Sequence, residues 1–368
     1  MSEGNQATKE RIAGLDLVRV VAAFFVISVH FYLNCGYYNV KLAGTEAFIM
    51  TYGRWLFLTC VPLYMILTGY FKLNKTFGKE HYRSLIPILV AYLVISVMKV
   101  MAANHIYGSV YTAEDTVRSL LNYQMAWYVG MYVSLMLLIP FLNTMWHALE
   151  GKKQKQVLIL SLVFISTLYP IVKYVAPSYW QMLYPFVYYF VGAYIREYQP
   201  KIKKWLGILI LLLIVLAESI GSFVDSNGSN FKWTFLGSVD NGYNAISVVV
   251  CAVIIFLCLY DVDIKNGFIK KFLMQISKVS FEIYLFAGIS DAYVYYFAKQ
   301  RVPEGTAFLP YFLPVVLASF IGAAVASLIY RKLYDLAAGF VKDRIERRKE
   351  AKNPEAGNEE AENEEVGN

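Results

Sequence analysis

Apolar residues fall in long blocks along this chain, separated by short polar stretches. The blocks lie at roughly 13–34, 48–71, 85–103, 124–145, 157–175, 182–197, 205–224, 244–260, 280–298 and 310–333. A helix rises about 1.5 Å per residue, so about 20 apolar residues cross a hydrocarbon layer of about 30 Å. Inside that layer every backbone polar group needs a partner, which a helix supplies from within itself. The pattern therefore predicts an all-α fold: a polytopic integral membrane helical bundle of about ten transmembrane helices. No stretch between blocks is long enough to fold as a soluble domain. The polar opening lacks a short apolar core followed by a small-residue cleavage site, and so predicts no removable signal peptide.

Composition points the same way. Of 368 residues, 58% are hydrophobic and 17% charged, and mean hydropathy is +0.45. Charge placement then orients the bundle. With the N-terminus inside, loops 72–84, 146–156, 196–204 and 261–279 face the cytoplasm and carry fifteen Lys and Arg, against five in the opposite loops. That bias predicts an N-in/C-in arrangement. The net charge of +7 is thus a topology signal and gives no reason to expect nucleic acid. Beyond Lys342, the basic run Arg344, Arg347, Arg348 and Lys349 gives way to a Glu- and Asn-rich end almost without apolar residues. Such a segment cannot bury enough surface to fold, and its basic part suits the inner leaflet. The expected organisation is a cytoplasmic segment 1–11, a membrane domain 12–335 and a charged, disordered cytoplasmic tail 336–368.

Three ionisable residues stand out in the first block: Asp16, Arg19 and His30. Arg19 and His30 are eleven residues apart. At about 100° and 1.5 Å per residue they share a helix face and lie about 16 Å apart along its axis. Asp16, one turn before Arg19, is close enough to pair with it. Each ionisable group in mid-membrane costs on the order of 2.5–3.5 kcal/mol on insertion scales, so such groups usually face a cavity or a partner. A cation near one end of a span and a titratable imidazole near the other suggest chemistry that links the two sides. The other histidines are less well placed: His81 and His147 fall in loops, and His105 at the outer end of the third block. Lys99, Lys173, Glu218, Glu282 and Asp291 also lie in or beside blocks.

Signals of soluble catalysis are missing. There is no Gly-rich phosphate loop and no His/Glu zinc motif. Cys35, Cys60, Cys251 and Cys258 show no metal-ligand spacing and read as small apolar residues. No metal site and no bound cofactor are expected.

A family resemblance emerges from six motifs in order. Leu15-Asp16-Leu17-Val18-Arg19 followed by His30 resembles the first helix of the acyltransferase-3 family. Val61-Pro62 through Thr68-Gly69-Tyr70, His81-Tyr82-Arg83 through Pro87, and Trp127-Tyr128-Val129-Gly130 before Leu138-Ile139-Pro140 are similar to its next signatures. Tyr188-Tyr189-Phe190-Val191-Gly192 and Ser280-Phe281-Glu282-Ile283-Tyr284-Leu285 resemble later ones. The likeness covers about residues 11–335. Two departures stand out. Ala287 occupies a place where the family often has histidine, and the stretch before the third block is poorer in arginine than usual.

The resemblance implies a membrane enzyme that moves an acyl group, most often acetyl, from cytoplasmic acyl-CoA to a hydroxyl of a cell-surface or lipid-linked glycan. It implies a bacterial cytoplasmic (plasma) membrane as the home. In this reading His30 is the general base, because its ordinary pKa permits proton exchange near neutrality. Arg19 is catalytic and held by Asp16. Arg83 and Arg54 attract the donor's phosphates, which guanidinium binds as a fork. Trp127, Glu218 and Asp291 line the acceptor site. The expected partners are acyl-CoA, as co-substrate, the glycan or lipid-linked sugar, and the bilayer.

Each residue also has a plainer reading. His30 could fix helix packing, Arg83 could be a positive-inside anchor, and Arg54 could snorkel to the outer face. Trp127 could belong to an interfacial belt. The alternative function is a glycan or lipid-linked sugar transporter or flippase without acyl transfer; a non-catalytic binding module is a third. No pair of broken helices in matching halves supports transport.

Overall fold

The computed structural model describes residues 12–168, 177–232 and 242–350. The end of the fifth apolar block with Lys173, the opening 1–11 and the tail beyond 350 lie outside the described residues. What is described is helical. The helices are α1 (Ala13–Asn34), α2 (Gly44–Phe57), α3 (Cys60–Lys72), α4 (Lys79–Arg83) and α5 (Ile86–Tyr107). Next come α6 (Ala113–Leu121), α7 (Trp127–Ala148), α8 (Gly151–Leu168), α9 (Tyr184–Tyr198) and α10 (Lys204–Ser226). The last four are α11 (Ile246–Leu259), α12 (Gly267–Lys278), α13 (Ser280–Lys299) and α14 (Phe312–Glu350). The chain divides into two units, Met1–Ala324 and Val325–Asn368; the described part of the second is the C-terminal stretch of α14.

Local sequence explains where helices begin and end. Pro87 sits in the first turn of α5, where its missing N–H leaves nothing unsatisfied, and Gly108 ends the helix at φ +73°. Thr112 and Asp115 form a reciprocal capping box at the start of α6. Pro140 lies inside α7, and Thr144 Oγ1 donates to its carbonyl at 2.9 Å.

Every predicted apolar block is wholly or partly helical. Among the described residues, six helical stretches are long and apolar enough to cross a membrane, or seven if α12 and α13, bent by 70°, count as one. The differences have physical causes. α9 and α11 have 15 and 14 residues, short of a bilayer's thickness. α8 starts with three lysines in its first five residues. Two histidines expected in loops are also in helices: His81 is buried in α4, donating from Nε2 to the Met136 carbonyl at 2.7 Å, and His147 is in the last turn of α7.

α1 is the hub of the first unit. It packs against α2, α3, α11, α12 and α13. Beside it, α3 and α9 make the most intimate pair, in backbone contact. A Cβ added at Gly69 would stand 1.9 Å from the Tyr189 carbonyl oxygen, and one at Gly192 would stand 2.0 Å from that of Ile66. Between membrane helices there is little hydrophobic gain, so close backbone packing through small residues holds them together. On the other flank of α9, Leu135, Met136, Ile139 and Trp146 of α7 pack with Tyr189, Phe190 and Ala193. A charge clasp closes that end. Glu197 accepts from Lys155 Nζ at 2.8 and 3.0 Å and from Trp146 Nε1 at 2.7 Å.

The α3–α9 contact generates a prediction. Gly192→Ala should destabilise the fold by about 1–3 kcal/mol, the range for forced overpacking. Gly78, which has nothing within 4 Å of an added Cβ, is the control. Thermal unfolding of the detergent-solubilised protein should show a lowered midpoint for Gly192→Ala and an unchanged one for Gly78→Ala.

Candidate active site

α1 borders two cavities, one near each of its ends. At the first, Asp16 is buried and its Oδ1 accepts from Ser277 Oγ at 2.6 Å and from Arg19 Nη1 at 3.3 Å. Arg19 Nη1 also donates to Ser277 Oγ at 3.3 Å, and its guanidinium lies 4.3 Å over the Phe71 ring. A carboxylate, a hydroxyl and an aromatic face thus fix the arginine. The cavity it borders has a volume of about 670 Å³, within the range of small-molecule sites. Arg196 from the end of α9 and Lys278 from the end of α12 border it too. Arg196 Nη1 donates to Tyr70 Oη at 3.4 Å and its guanidinium sits 5.1 Å over that ring. Three cations against one carboxylate make the cavity electropositive, suited to an anion.

At the other end, His30 borders a cavity of about 100 Å³ together with Arg54, Tyr38, Trp127, Tyr243 and Tyr284. His30 Nδ1 and Asp291 Oδ2 share a hydrogen bond of 2.8 Å. Asp291, on α13, is buried, and its Oδ1 accepts from Ser319 Oγ on α14. A carboxylate against one ring nitrogen can orient an imidazole for proton exchange through the other. Arg54 is fully buried on α2. Its Nε donates to Tyr38 Oη at 3.0 Å, and its guanidinium stands 4.3 Å over Phe231 and 4.9 Å over Trp55. Trp127 stacks on Tyr243 with centroids 5.5 Å apart.

A column of tyrosines runs between the two cavities. Tyr284 borders the His30 cavity, Tyr128 lies 5.5 Å from it, and Tyr64 lies 6.0 Å from Tyr128, centroid to centroid. Tyr64 Oη donates at 3.3 Å to the carbonyl of Ser280, which borders the Arg19 cavity.

The structure thus gathers Asp16 and Arg19 at one cavity and His30, Arg54 and Trp127 at the other. Asp291 stands behind His30 rather than on the cavity wall. Arg54, grouped by sequence with the donor's phosphates, is at the histidine's cavity and away from Arg19. Arg83, at the end of α4, is exposed and borders neither cavity. Glu218 is buried between α10 and α11 beside Trp55, Ser247 and Cys251, also away from both. Sequence reasoning missed Arg196, Lys278 and Ser319. The first two are hidden among topology-setting basic residues, and a lone serine in an apolar run carries no signal.

Against this geometry stands one match. The model of a family described as an acyltransferase domain, acyltransferase-3, covers residues 12–331 of the 368-residue chain. The chain belongs to the acyltransferase-3 family. It is a membrane acyltransferase, and both cavities lie within the matched region. No curated protein and no solved structure matches this acyltransferase.

Proposed function

We propose that this acyltransferase moves an acyl group, most simply acetyl, from cytoplasmic acyl-CoA to a hydroxyl of a cell-surface or lipid-linked glycan. The observation that carries the reading is the pair of cavities on α1. The electropositive one is the donor's, with Arg19, Arg196 and Lys278 meeting phosphate groups. The one with His30 is the acceptor's, with Trp127 and Tyr243 as an aromatic wall for a sugar ring. The eleven-residue separation puts them about 16 Å apart, so an extended thioester arm is needed to bring acyl group to base. The family supports acyl transfer in general. The N-in arrangement, which faces the Arg19 end to the cytoplasm, rests on loop charge, and the bacterial cytoplasmic membrane on family resemblance.

The chemistry follows from His30. With Nδ1–H donated to Asp291, Nε2 carries the free lone pair. Nε2 takes the proton of the acceptor hydroxyl as its oxygen attacks the thioester carbon. The tetrahedral oxyanion then collapses, the carbon–sulfur bond breaks, and the thiolate of coenzyme A leaves with the proton returned by the imidazolium. Arg54, a buried cation at the same cavity, is the group placed to stabilise the oxyanion. Asp291 holds the ring in the working tautomer and stabilises the imidazolium.

The reading is tested with isotope-labelled acetyl-CoA supplied to inverted membrane vesicles containing the native glycan. Wild type should deposit base-labile label, and His30→Gln, at equal folded protein, should lose it by on the order of 10²–10⁴-fold. Label deposited equally by both would remove His30 from its role; no label from either would favour transport.

The donor cavity makes a separate prediction. Arg196→Gln and Lys278→Gln should each raise KM for acyl-CoA by about three- to tenfold, the net worth of one hydrogen bond, with kcat nearly kept. Arg83→Gln, outside the cavity, should change KM less than twofold. Steady-state kinetics against acyl-CoA concentration decide between them.

A further inference from the structure

Lys99 has no part in the chemistry above, yet it is an ammonium in the middle of an apolar helix. Such a charge is costly and persists where something needs it. α5, which carries it, packs chiefly against α13. The contact is made where α13 has no side chain. A Cβ added at Gly288 would stand 2.8 Å from Lys99 Cε and 2.9 Å from its Nζ. The lysine thus crosses the bare backbone of α13 three residues, one helical turn, before Asp291. Its Nζ donates to the Met125 carbonyl at 2.9 Å, and its charge is within electrostatic range of Asp291.

Asp291 needs such a neighbour. Its Oδ2 lies 2.8 Å from His30 Nδ1, and its Oδ1 accepts from Ser319 Oγ. A carboxylate can accept at both, but a neutral carboxylic acid must donate at one. To accept from the histidine ring Asp291 must carry its charge, and a charge held inside a membrane protein calls for a countercharge. Near the pair, Tyr32 on α1, Cys35 just past its end and Tyr295 on α13 bear no positive charge. Arg54 on α2 faces the His30 cavity, where the proposed mechanism uses it for the oxyanion, and donates to Tyr38. Lys99 is the cation that packs on α13 one turn before Asp291.

We propose that Lys99 is a positioning residue of the His30 site. Its ammonium is the countercharge that keeps Asp291 a carboxylate, and so keeps His30 in the tautomer protonated at Nδ1. Without it, the pair takes up one proton from water: Asp291 becomes the neutral acid and donates to Nδ1, and the ring carries its proton on Nε2, the nitrogen the acceptor needs bare. The consequence for catalysis rests on His30 being the base; the tautomer itself does not.

The experiment uses the full chain in nanodiscs with 15N-labelled histidine, the His30 signals being identified by their loss in His30→Gln. Wild type should show His30 protonated at Nδ1. Lys99→Met should move the proton to Nε2. Gly288→Ala, whose methyl group pushes Lys99 aside while both charges remain, should move it the same way and covers the case in which Lys99→Met does not fold. Wild-type His30 signals in either folded variant would overturn the proposal. In acyl-transfer assays Lys99→Met should lose about tenfold in kcat with KM for acyl-CoA unchanged. A shifted tautomer with full activity would uphold the role of Lys99 and instead refute His30 as the base.

Discussion

The hydrogen bond between His30 and Asp291 is the contact on which the account turns. It joins α1 to α13, ties both to α14 through Ser319, and in the proposed mechanism sets which imidazole nitrogen meets the acceptor. In water such a pair would be one of many solvated contacts. Within a helical bundle in a membrane its charged member cannot be left to solvent, so the surroundings are built to hold it. The same demand recurs at the other end of α1, where Asp16 and Ser277 hold Arg19.

Rigidity elsewhere serves these two points. α1 can border two cavities because α2, α3, α11, α12 and α13 surround it. The bare glycines Gly69 and Gly192 bring α3 and α9 into backbone contact, and α9 delivers Arg196 to the donor cavity. The bend between α12 and α13 delivers Ser277 and Lys278 to that cavity while α13 continues to Asp291. One helix pair thus contributes to both ends of the proposed reaction path, with Tyr284 and its neighbouring tyrosines between them.

Much of this is legible in sequence where the signal is local. A run of apolar residues declares a membrane helix, and Asp16, Arg19 and His30 mark a candidate functional face because charges are rare in such runs. What is not legible is distant pairing. His30 and Asp291 are 261 positions apart, and nothing in either neighbourhood announces the other. Arg54 looks like any arginine in a span until its ring cage and cavity are seen. Span number is less legible for a related reason. Hydropathy alone does not show that α9 and α11 are too short to cross alone. Arg196 and Lys278 look like orientation signals, and only folding separates a cation that faces a cavity from one that faces water.

The central claim is that one helix presents a donor site to one face of the membrane and an acceptor site to the other. It is tested most directly by the sidedness of thiol labelling, in a chain whose four native cysteines are replaced. Lys278→Cys should react with a membrane-impermeant maleimide added from the cytoplasmic side alone, and Tyr38→Cys with the same reagent from the outer side alone. Reaction of both positions from a single side would contradict transfer across the membrane and the account built on it.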